Sequence, residues 1–403
     1  METTSVIKSL HEHIVSLAKT APERTALLSC NEEGKVLEEI TFAELSEKIE
    51  SAGNYLAGLS LKSGDRVALA FSNSAELLIL SWASWSMGVV TVPLDIKRDT
   101  AELHQYKIKL SNAKLLIAQK GLLKDADKNN LQEVKIIEFA GFPKSASTKI
   151  EWRPDLSHEA LILFTSGTTA QPKGAKLSLE NLVINAEGIK SWLRIGPEDR
   201  FLVNLPLHHI NSTTFCLSAL LAGGSIAIPP TYSNSHFWGQ AAKTGATLTS
   251  IVQSILFDQL SQGDEYAKVK GEIKLGRIQI GSAPVVAQTA EEFIKKFKIP
   301  LYQGYGQTET ALRVTGVPMG LPEEIYARLV EENSIGVPMS WADIQIADEE
   351  GKILGENEEG ELVVKGRAVM EGYLGGEPAF RNNYFLTGDV GFYKTINGQR
   401  FFY

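Results

Sequence analysis

The chain has 403 residues, of which 43% are hydrophobic and 22% are charged, the composition of a soluble globular protein. This length exceeds what a single ordinary core organises, so we expect two or three subdomains. The formal net charge of −8 argues against nucleic-acid binding as the main function, because phosphate backbones select basic surfaces.

The cysteines and the N-terminal segment favour a cytoplasmic protein. Only Cys30 and Cys216 occur, too few and too far apart for a disulfide framework or a metal cluster. Residues 1–28 lack the basic head and unbroken apolar core of a signal peptide, and the spacing of Ile7, Leu10, Ile14 and Leu17 predicts an amphipathic helix instead. No apolar run is long enough to cross a bilayer, so we expect no transmembrane segment.

Strands and helices alternate along residues 1–160. The patterns at 25–30 and 36–40 predict a β-hairpin, and Thr41 with Glu44 forms a capping box that begins the next helix. The pattern then predicts a strand at 67–71, a helix at 74–87, and strands at 89–93 and 114–118. This order predicts βαβ units around a mostly parallel sheet, and therefore an α/β fold.

The most informative stretch runs from residue 161 to residue 177. Apolar residues at 161–164 predict a buried strand, and the loop that follows offers four hydroxyl side chains around one glycine. Such a loop presents N–H and O–H donors to a phosphate chain, although a loop of this composition taken alone can also be a flexible turn. Six residues separate Gly167 from Gly174, so this is not a Walker loop. The predicted phosphate-binding residues are Thr165, Ser166, Gly167, Thr168, Thr169 and Lys173.

The remaining pattern predicts two further parts. A helix at 178–192 and strands at 201–205, 226–228 and 247–252 lead to two strands, at 278–280 and 300–303, that end in small residues. Strand ends of this kind are where open α/β sheets bind ligands. From Ser334 onward, short alternating segments at 342–347 and 360–364 predict a small β-rich part. We therefore expect subdomains at 1–160, 161–333 and 334–403.

Residues 165–174, TSGTTAQPKG, resemble the phosphate-binding signature of the adenylate-forming superfamily, which includes acyl-CoA synthetases, adenylation domains of peptide synthetases and beetle luciferase. Ala170 stands where the family usually has glycine, and it would stiffen the loop slightly. Residues 360–366, GELVVKG, match a strand pair that belongs to the family fold. The resemblance implies the large N-terminal part of that fold, with two βαβ-type subdomains and a small β-rich one.

The same resemblance implies a nucleotide site. Residues 305–309, YGQTE, look like the second family signature, in which Thr308 contacts the α-phosphate and Glu309 holds Mg²⁺. In residues 387–389, TGD, Asp389 would accept hydrogen bonds from the ribose hydroxyls. The loop at 281–284 resembles the one that closes over adenine. The implied adenine-binding residues are Gly281, Ser282, Ala283, Pro284, Gln303, Gly304, Tyr305 and Gly306.

A pair of histidines resembles the segment that carries the acid side of the family site. His209 matches the usual histidine, and His208 stands where an aromatic residue is common, although a histidine is as often structural. Residues 211–213 are neutral, which disfavours an amino acid as substrate. The sequence at 303–305 lacks the tryptophan that closes the pocket of acetate-specific relatives, so a medium-sized or longer acid is favoured. Residues 237–240 show a weak similarity to ligases for polar-tailed acids.

The resemblance implies an acid–CoA ligase that uses ATP, Mg²⁺ and CoA: the acid and ATP give acyl-AMP and pyrophosphate, and CoA then displaces AMP. A homodimer is among the assemblies to be expected. Family members continue into a C-terminal lid that carries a catalytic lysine and that is absent here, so we expect either a fragment cut before the hinge or a lidless protein, weakly active alone. Two alternatives are an acyl-AMP ligase that serves a carrier protein and a catalytically silent adenylate-binding protein.

Overall fold

The computed structural model describes residues 7–123, 131, 134–143, 150–165, 171–376 and 379–403. A short 3-10 helix covers Thr308–Thr310. The α-helices in the described ranges are α1 (Leu10–Thr20), α2 (Phe42–Gly58), α3 (Ala75–Met87), α4 (Ala101–Ser111), α5 (Leu179–Trp192), α6 (Ile210–Leu221), α7 (Phe237–Thr244), α8 (Gln253–Leu260), α9 (Gly263–Val269), α10 (Ala287–Phe297) and α11 (Glu323–Glu331).

Two seven-stranded sheets form the body of the protein. The first sheet has the spatial order β18 (Gly372–Leu374), β8 (Lys173–Ser178), β7 (Glu159–Thr165), β4 (Val90–Pro93), β3 (Arg66–Ala70), β5 (Leu115–Gln119) and β6 (Lys135–Phe139). The second sheet has the order β13 (Leu301–Gly304), β12 (Arg277–Gly281), β11 (Leu248–Ile251), β9 (Arg200–Leu202), β10 (Ser225–Ile228), β1 (Thr25–Cys30) and β2 (Val36–Thr41).

Most strand pairs in these two sheets are parallel, which confirms the α/β fold predicted from the sequence. In the second sheet every pair except β1–β2 is parallel. In the first sheet the pairs from β7 to β6 are parallel, whereas β8 is antiparallel to both of its neighbours. Parallel strands place their carboxyl ends at one edge of a sheet, so the ends of β12 and β13 lie side by side.

Both sheets draw strands from distant parts of the chain. The β1–β2 hairpin comes from the first 41 residues but pairs with β10 in the second sheet, through Leu27 and Ile226. The β7–β8 hairpin pairs with β4 in the first sheet. The division into subdomains near residue 160 stays a prediction, and each sheet takes strands from both sides of it.

A third, antiparallel sheet follows, as predicted for the chain beyond Ser334. Its order is β16 (Ala342–Ala347), β17 (Gly360–Gly366), β20 (Tyr384–Gly391) and β19 (Phe380–Arg381). Two short pairs accompany it: β14 (Thr315–Gly316) with β15 (Val337–Pro338), and β21 (Tyr393–Ile396) with β22 (Gln399–Phe402). Because β18 belongs to this part of the chain but pairs with β8, it joins the β-rich part to the first sheet.

The helices α3, α5 and α6 lie in one continuous core with strands of both large sheets. All of α6 is buried, and α3 is buried from Leu77 to Met87. Within this core the Trp85 indole N–H donates to the Thr91 hydroxyl of β4 at 2.9 Å, so that a buried polar group is satisfied. Packing of this kind fixes the two sheets relative to each other, and with them the strand ends that carry the candidate site.

The capping box predicted at the start of α2 is confirmed: the Thr41 hydroxyl accepts from the Glu44 backbone N–H, and the Glu44 carboxylate accepts from the Thr41 N–H. The predicted strand at 201–205 is shorter than expected, since β9 ends at Leu202. No helix in the described ranges is both long enough and apolar enough to span a membrane.

Candidate active site

The hairpin β7–β8 holds the two described ends of the predicted phosphate loop. Thr165, the last residue of β7, is the register partner of Lys173, the first residue of β8. The predicted contacts of Ser166, Gly167, Thr168 and Thr169 lie outside the described residues. The two ends of the loop are therefore held together at the end of a buried strand, and the Lys173 side chain is exposed.

Glu309 lies in the 3-10 helix that follows β13, and it is only 7% exposed. Its Oε1 accepts hydrogen bonds from the Thr165 hydroxyl at 3.3 Å and from the Tyr373 hydroxyl at 2.7 Å. The structure thus brings together the start of the predicted phosphate loop and the predicted metal ligand, although 144 positions separate them in sequence. Thr308, the predicted α-phosphate contact, is the neighbouring residue and begins the same turn.

The charge of Glu309 has only hydroxyl partners in the part of the chain that the structure describes. None of the ion pairs there involves Glu309. Burying a carboxylate is costly unless a positive charge compensates it. A hard divalent cation, which prefers oxygen ligands, meets that requirement, so the residues present fit the Mg²⁺ that the sequence implied.

Tyr373, which sequence reasoning missed, completes this group. It lies on β18, and its register partner is Ala175 of β8. Burial raises the pKa of the Tyr373 phenol, and the Glu309 carboxylate raises it further, so the hydroxyl stays protonated and donates. The Lys173 ammonium lies 5.3 Å from the centre of the Tyr373 ring. Only the pairing of β18 with β8 could have revealed this residue, and no local pattern predicts that pairing.

A second group surrounds Asp389, the predicted ribose contact. Its Oδ2 accepts from the Tyr305 hydroxyl at 2.7 Å and from the Gln307 amide at 2.6 Å. Gln307 also donates to the Thr387 backbone carbonyl at 2.9 Å. Burial raises the pKa of Tyr305, which therefore remains a donor. Asp389 itself is exposed, so the carboxylate is held in place yet can accept further hydrogen bonds. The role of Gln307 in this group was not predicted.

The predicted adenine residues meet at the ends of β12 and β13. Gly281 and Gly304 are register partners, and a Cβ placed on Gly281 would lie 2.2 Å from the Gly304 carbonyl oxygen. Only glycine allows this approach. Ser282 then turns the chain with a φ of 65°, and Ala283 and Pro284 are exposed beside it. Gln303 and Tyr305 flank Gly304, so the predicted adenine residues lie together at the carboxyl ends of β12 and β13.

The histidine pair occupies another position, at the start of α6. The rings of His208 and His209 lie 4.5 Å apart, and His208 Nε2 lies 3.3 Å from Asp95 Oδ2. Burial opposes ionisation of Asp95, but the His208 ring and the backbone N–H groups of Lys97 and Arg98 outweigh it and hold the Asp95 pKa well below its usual range.

Loss of solvation and the adjacent His208 lower the pKa of His209 to about 4, although the Asp95 carboxylate acts in the opposite direction, so the His209 ring is neutral at pH 7. No hydrogen bond or ion pair among the described residues joins His209 to Glu309 or Asp389. Its placement on the acid side stays a prediction.

The protein has the adenylate-forming α/β fold. It combines two large sheets with a β-rich part, and it groups residues 305–309 with Thr165 and Asp389. The family model for AMP-binding enzymes matches residues 16–374, and the chain belongs to that family.

The chain is similar to named members of this family. It is 28% identical over 383 residues to a 2-succinylbenzoate–CoA ligase of Bacillus licheniformis, and the match covers 93% of this chain and 75% of that protein. It also resembles solved structures of an O-succinylbenzoate coenzyme A synthetase from Bacillus subtilis. The structure in complex with AMP has a TM-score of 0.82 at 26% identity and covers 96% of both chains. The structure in complex with ATP and a magnesium ion has a TM-score of 0.82 at 26% identity and covers 97% of this chain and 78% of the other.

Proposed function

We propose that the protein activates a carboxylic acid with ATP, forming acyl-AMP and pyrophosphate, and that the acyl group then passes to coenzyme A. One observation carries the proposal. A single five-residue segment, 305–309, contacts both halves of the predicted nucleotide site. Tyr305 and Gln307 hold Asp389, and Glu309 contacts Thr165 of the β7–β8 hairpin. A nucleotide needs both ends to be fixed at once, and the names of the relatives support the same reaction.

We assign the following roles in this reaction to residues of the chain. The strand ends at Gly281 and Gly304 take the adenine, and Asp389 accepts hydrogen bonds from the ribose hydroxyls. Lys173 and Thr308 contact the phosphates, and Glu309 holds Mg²⁺, which supplies charge neutralisation at the phosphate chain when bound.

An oxygen of the acid attacks the α-phosphorus, the bond between that phosphorus and the bridging oxygen breaks, and pyrophosphate leaves with the electron pair. Because the protein supplies no covalent partner, its contribution is orientation and electrostatic stabilisation.

The acid side favours a substrate other than an amino acid. Asn211, Ser212 and Thr213 are buried and neutral. The Ser212 hydroxyl donates to the Leu205 carbonyl at 2.9 Å, and the Thr213 hydroxyl donates to the Leu207 carbonyl at 2.9 Å, so both are engaged with backbone. None of the three offers a carboxylate to an ammonium group. A neutral His209 fits an uncharged or apolar part of the acid. We propose a medium-sized acid, which agrees with the succinylbenzoate named for the relatives.

Thermal melting with non-hydrolysable acyl-sulfamoyl adenosines tests the proposed function. A ligand that binds only the folded chain stabilises it by about 2.7 kcal/mol at 100 times its Kd, so we expect a clear rise in Tm with at least one acyl group. AMP should give a smaller rise, and an aminoacyl mimic the least. This readout needs binding alone and no turnover. If neither AMP nor any mimic changes the melting temperature at millimolar concentration, the proposed function is wrong.

Asp389→Asn is expected to weaken AMP binding by about 10- to 100-fold, because a charge-assisted hydrogen bond to the ribose becomes a neutral one. The same sheet offers a matched control. Asp343 is also exposed and accepts from a tyrosine, Tyr384, at 2.6 Å, but it is not among the predicted nucleotide-binding residues. Asp343→Asn should therefore leave AMP affinity within about twofold of the unsubstituted chain. Titration calorimetry with AMP measures both, and equal losses in the two variants would contradict the assignment of Asp389.

A further inference from the structure

Two histidines and an aspartate, carried by the two large sheets, form one close cluster. Asp95 follows β4 of the first sheet by two positions, and His208 and His209 lie between β9 of the second sheet and α6. One ring nitrogen of each histidine and one carboxylate oxygen of Asp95 all lie within 4.8 Å of one another. Within the described ranges, no other three histidine, cysteine or acidic side chains bring their donor atoms together in this way.

The Asp95 carboxylate is oriented by the backbone around it. Its Oδ1 accepts from the N–H groups of Lys97 at 3.0 Å and Arg98 at 3.1 Å. The Asp95 backbone carbonyl lies 3.2 Å from His104 Nε2, which fixes the segment further. The other oxygen, Oδ2, faces His208 at 3.3 Å. Hydrogen bonds of this kind orient a ligand before it binds a metal ion, so that one oxygen is held ready.

His208 Nε2 is a buried nitrogen that makes no hydrogen bond with the described residues, although Asp95 Oδ2 is near. Two ligand atoms bound to one tetrahedral Zn²⁺ at about 2.0–2.1 Å stand roughly 3.3 Å apart. The His208 and Asp95 atoms therefore have the spacing of two ligands of one ion, without the alignment of a direct hydrogen bond. A cavity of about 100 Å³ borders His208, and it is also lined by Asn204, whose buried Oδ1 likewise has no partner in this part of the chain.

The His209 ring supplies the third nitrogen. His209 caps the N-terminus of α6 with its backbone, and its side chain makes no capping hydrogen bond. The ring is exposed, and its centre lies 4.5 Å from that of the His208 ring. An exposed ring can rotate about its side-chain bonds and bring its nitrogen to ligand distance. It also leaves room for water, which takes the open position in zinc sites with three protein ligands.

The positive charges near the cluster do not take the place of a metal ion. Lys97 Nζ donates to Thr231 Oγ1 at 3.0 Å, and Lys107 Nζ pairs with the Asp99 carboxylate. Both ammonium groups thus have other oxygen partners. Arg98 is exposed, and water and salt screen its charge.

We propose that Asp95, His208 and His209 bind one divalent cation of the zinc class. Two imidazole nitrogens with one carboxylate suit zinc and its neighbours in the first transition series, whereas Mg²⁺ favours oxygen ligands alone. The site therefore differs in ligand type from the one predicted at Glu309. A bound ion would join the segment after β4 to the start of α6 and so stabilise the folded chain.

Zinc titration of the chain, purified without a histidine tag and with Mg²⁺ in excess, tests the site. Calorimetry should show one Zn²⁺ bound with a Kd of about 10 µM or lower, and Co²⁺ should give visible absorption bands that Zn²⁺ abolishes. Asp95→Asn and His209→Gln should each weaken Zn²⁺ binding by more than about tenfold. Because the His209 side chain is exposed and makes no cap, His209→Gln should leave the melting temperature of the metal-free chain unchanged.

His11→Gln is the matched control. His11 Nε2 lies 2.8 Å from Glu50 Oε1, so this variant also removes a histidine beside a carboxylate, but no third ligand among the described residues completes that pair. Its Zn²⁺ affinity should stay within about twofold of the unsubstituted chain. If Asp95→Asn lowers the melting temperature of the metal-free chain, His209→Gln alone decides.

Three results would overturn the assignment. The first is an unsubstituted chain that binds no Zn²⁺ below about 1 mM. The second is a His209→Gln variant with unchanged affinity, and the third is a loss in His11→Gln as large as that in His209→Gln. The titration needs neither nucleotide nor acid, so its outcome is independent of the proposed function.

Discussion

Replacing Glu309 with glutamine is expected to reduce Mg²⁺-dependent adenylate formation by about 10²- to 10³-fold, which corresponds to roughly 3–4 kcal/mol of transition-state stabilisation. Glutamine keeps the shape of the side chain and an oxygen for the Thr165 and Tyr373 hydroxyls, but it removes the charge. Because the carboxylate is buried with hydroxyl donors only, its charge is the feature that suits a cation.

Pyrophosphate release and ATP binding, each measured across a series of Mg²⁺ concentrations, check this expectation. The unsubstituted chain should show both signals rising with Mg²⁺, and Glu309→Gln should flatten both curves. The melting temperature of the free variant should not fall, since an uncompensated buried charge has been removed. Retention of a normal Mg²⁺ dependence in this variant would show that the metal, if one is used, is held elsewhere.

Tyr373→Phe provides a graded comparison for the same site. It removes one hydrogen bond to Glu309 but leaves the carboxylate and the Thr165 contact in place. We expect the effect on Mg²⁺-dependent activity to stay below about tenfold, because a single neutral donor contributes about 1 kcal/mol. A loss as large as that of Glu309→Gln would mean that Tyr373 does more than orient the carboxylate.

Sequence reasoning proposed Glu309 and Asp389 as site residues because both stand in short, ordered strings whose residue types are rare in that combination. It could not show what holds them. One of the two hydrogen-bond donors to Asp389 is Gln307, which belongs to the signature at 305–309, but the interaction spans 82 positions. Tyr373 reaches Glu309 only because β18 crosses to β8. Side-chain periodicity reports the environment of a segment and contains no information about which distant segment will lie beside it.

The same limit explains why the pairing of the strands could not be predicted from the sequence. Alternating or continuous apolar residues predicted β1, β3 and β5 individually, since burial of a strand is a local pattern. The pairing of β1 with β10 joins residues about two hundred positions apart, and both are short apolar strands that would pair equally well elsewhere. Helix α4 was missed for a different reason: it is weakly apolar, and only the Thr100 cap marks its start.

Arg313 illustrates a third kind of residue, one that sequence reasoning ignored although it lies four positions after Glu309. Ala311, Leu312 and Val314 flank it and are apolar, but an arginine is normally a surface residue, and a stretch this short does not show that its side chain is buried. Only the packing of β12 and β13 around it reveals a buried ion without a counterion among the described residues.

Gly306→Ala is expected to destabilise the protein by about 1–3 kcal/mol and to reduce AMP affinity by more than about tenfold. A Cβ at Gly306 would lie 1.5 Å from the Leu312 carbonyl oxygen and 2.9 Å from the Arg313 Cα. These are backbone atoms, so no change of rotamer relieves the overlap and the segment itself must move. That segment is anchored on both sides: the Val314 N–H donates to the Tyr305 carbonyl at 2.8 Å, and the Leu312 N–H donates to the Gln307 carbonyl at 3.1 Å.

Variants at two other glycines distinguish a general loss of stability from a displacement of residues 305–309. In Gly316→Ala the new Cβ would lie 2.2 Å from the Trp192 ring, so this variant should also lose stability, but it lies outside residues 305–309. Gly58, at the end of α2, has open space around its Cβ position, and Gly58→Ala should change stability by less than about 1 kcal/mol. Urea denaturation and AMP titration on all three variants measure both effects.

If loss of stability alone weakened binding, Gly316→Ala and Gly306→Ala would lose affinity in parallel. Because one displacement at Gly306 moves Tyr305 and Glu309 together, we expect only that variant to lose affinity beyond its loss of stability. That excess would measure how far nucleotide binding depends on the placement of this one segment.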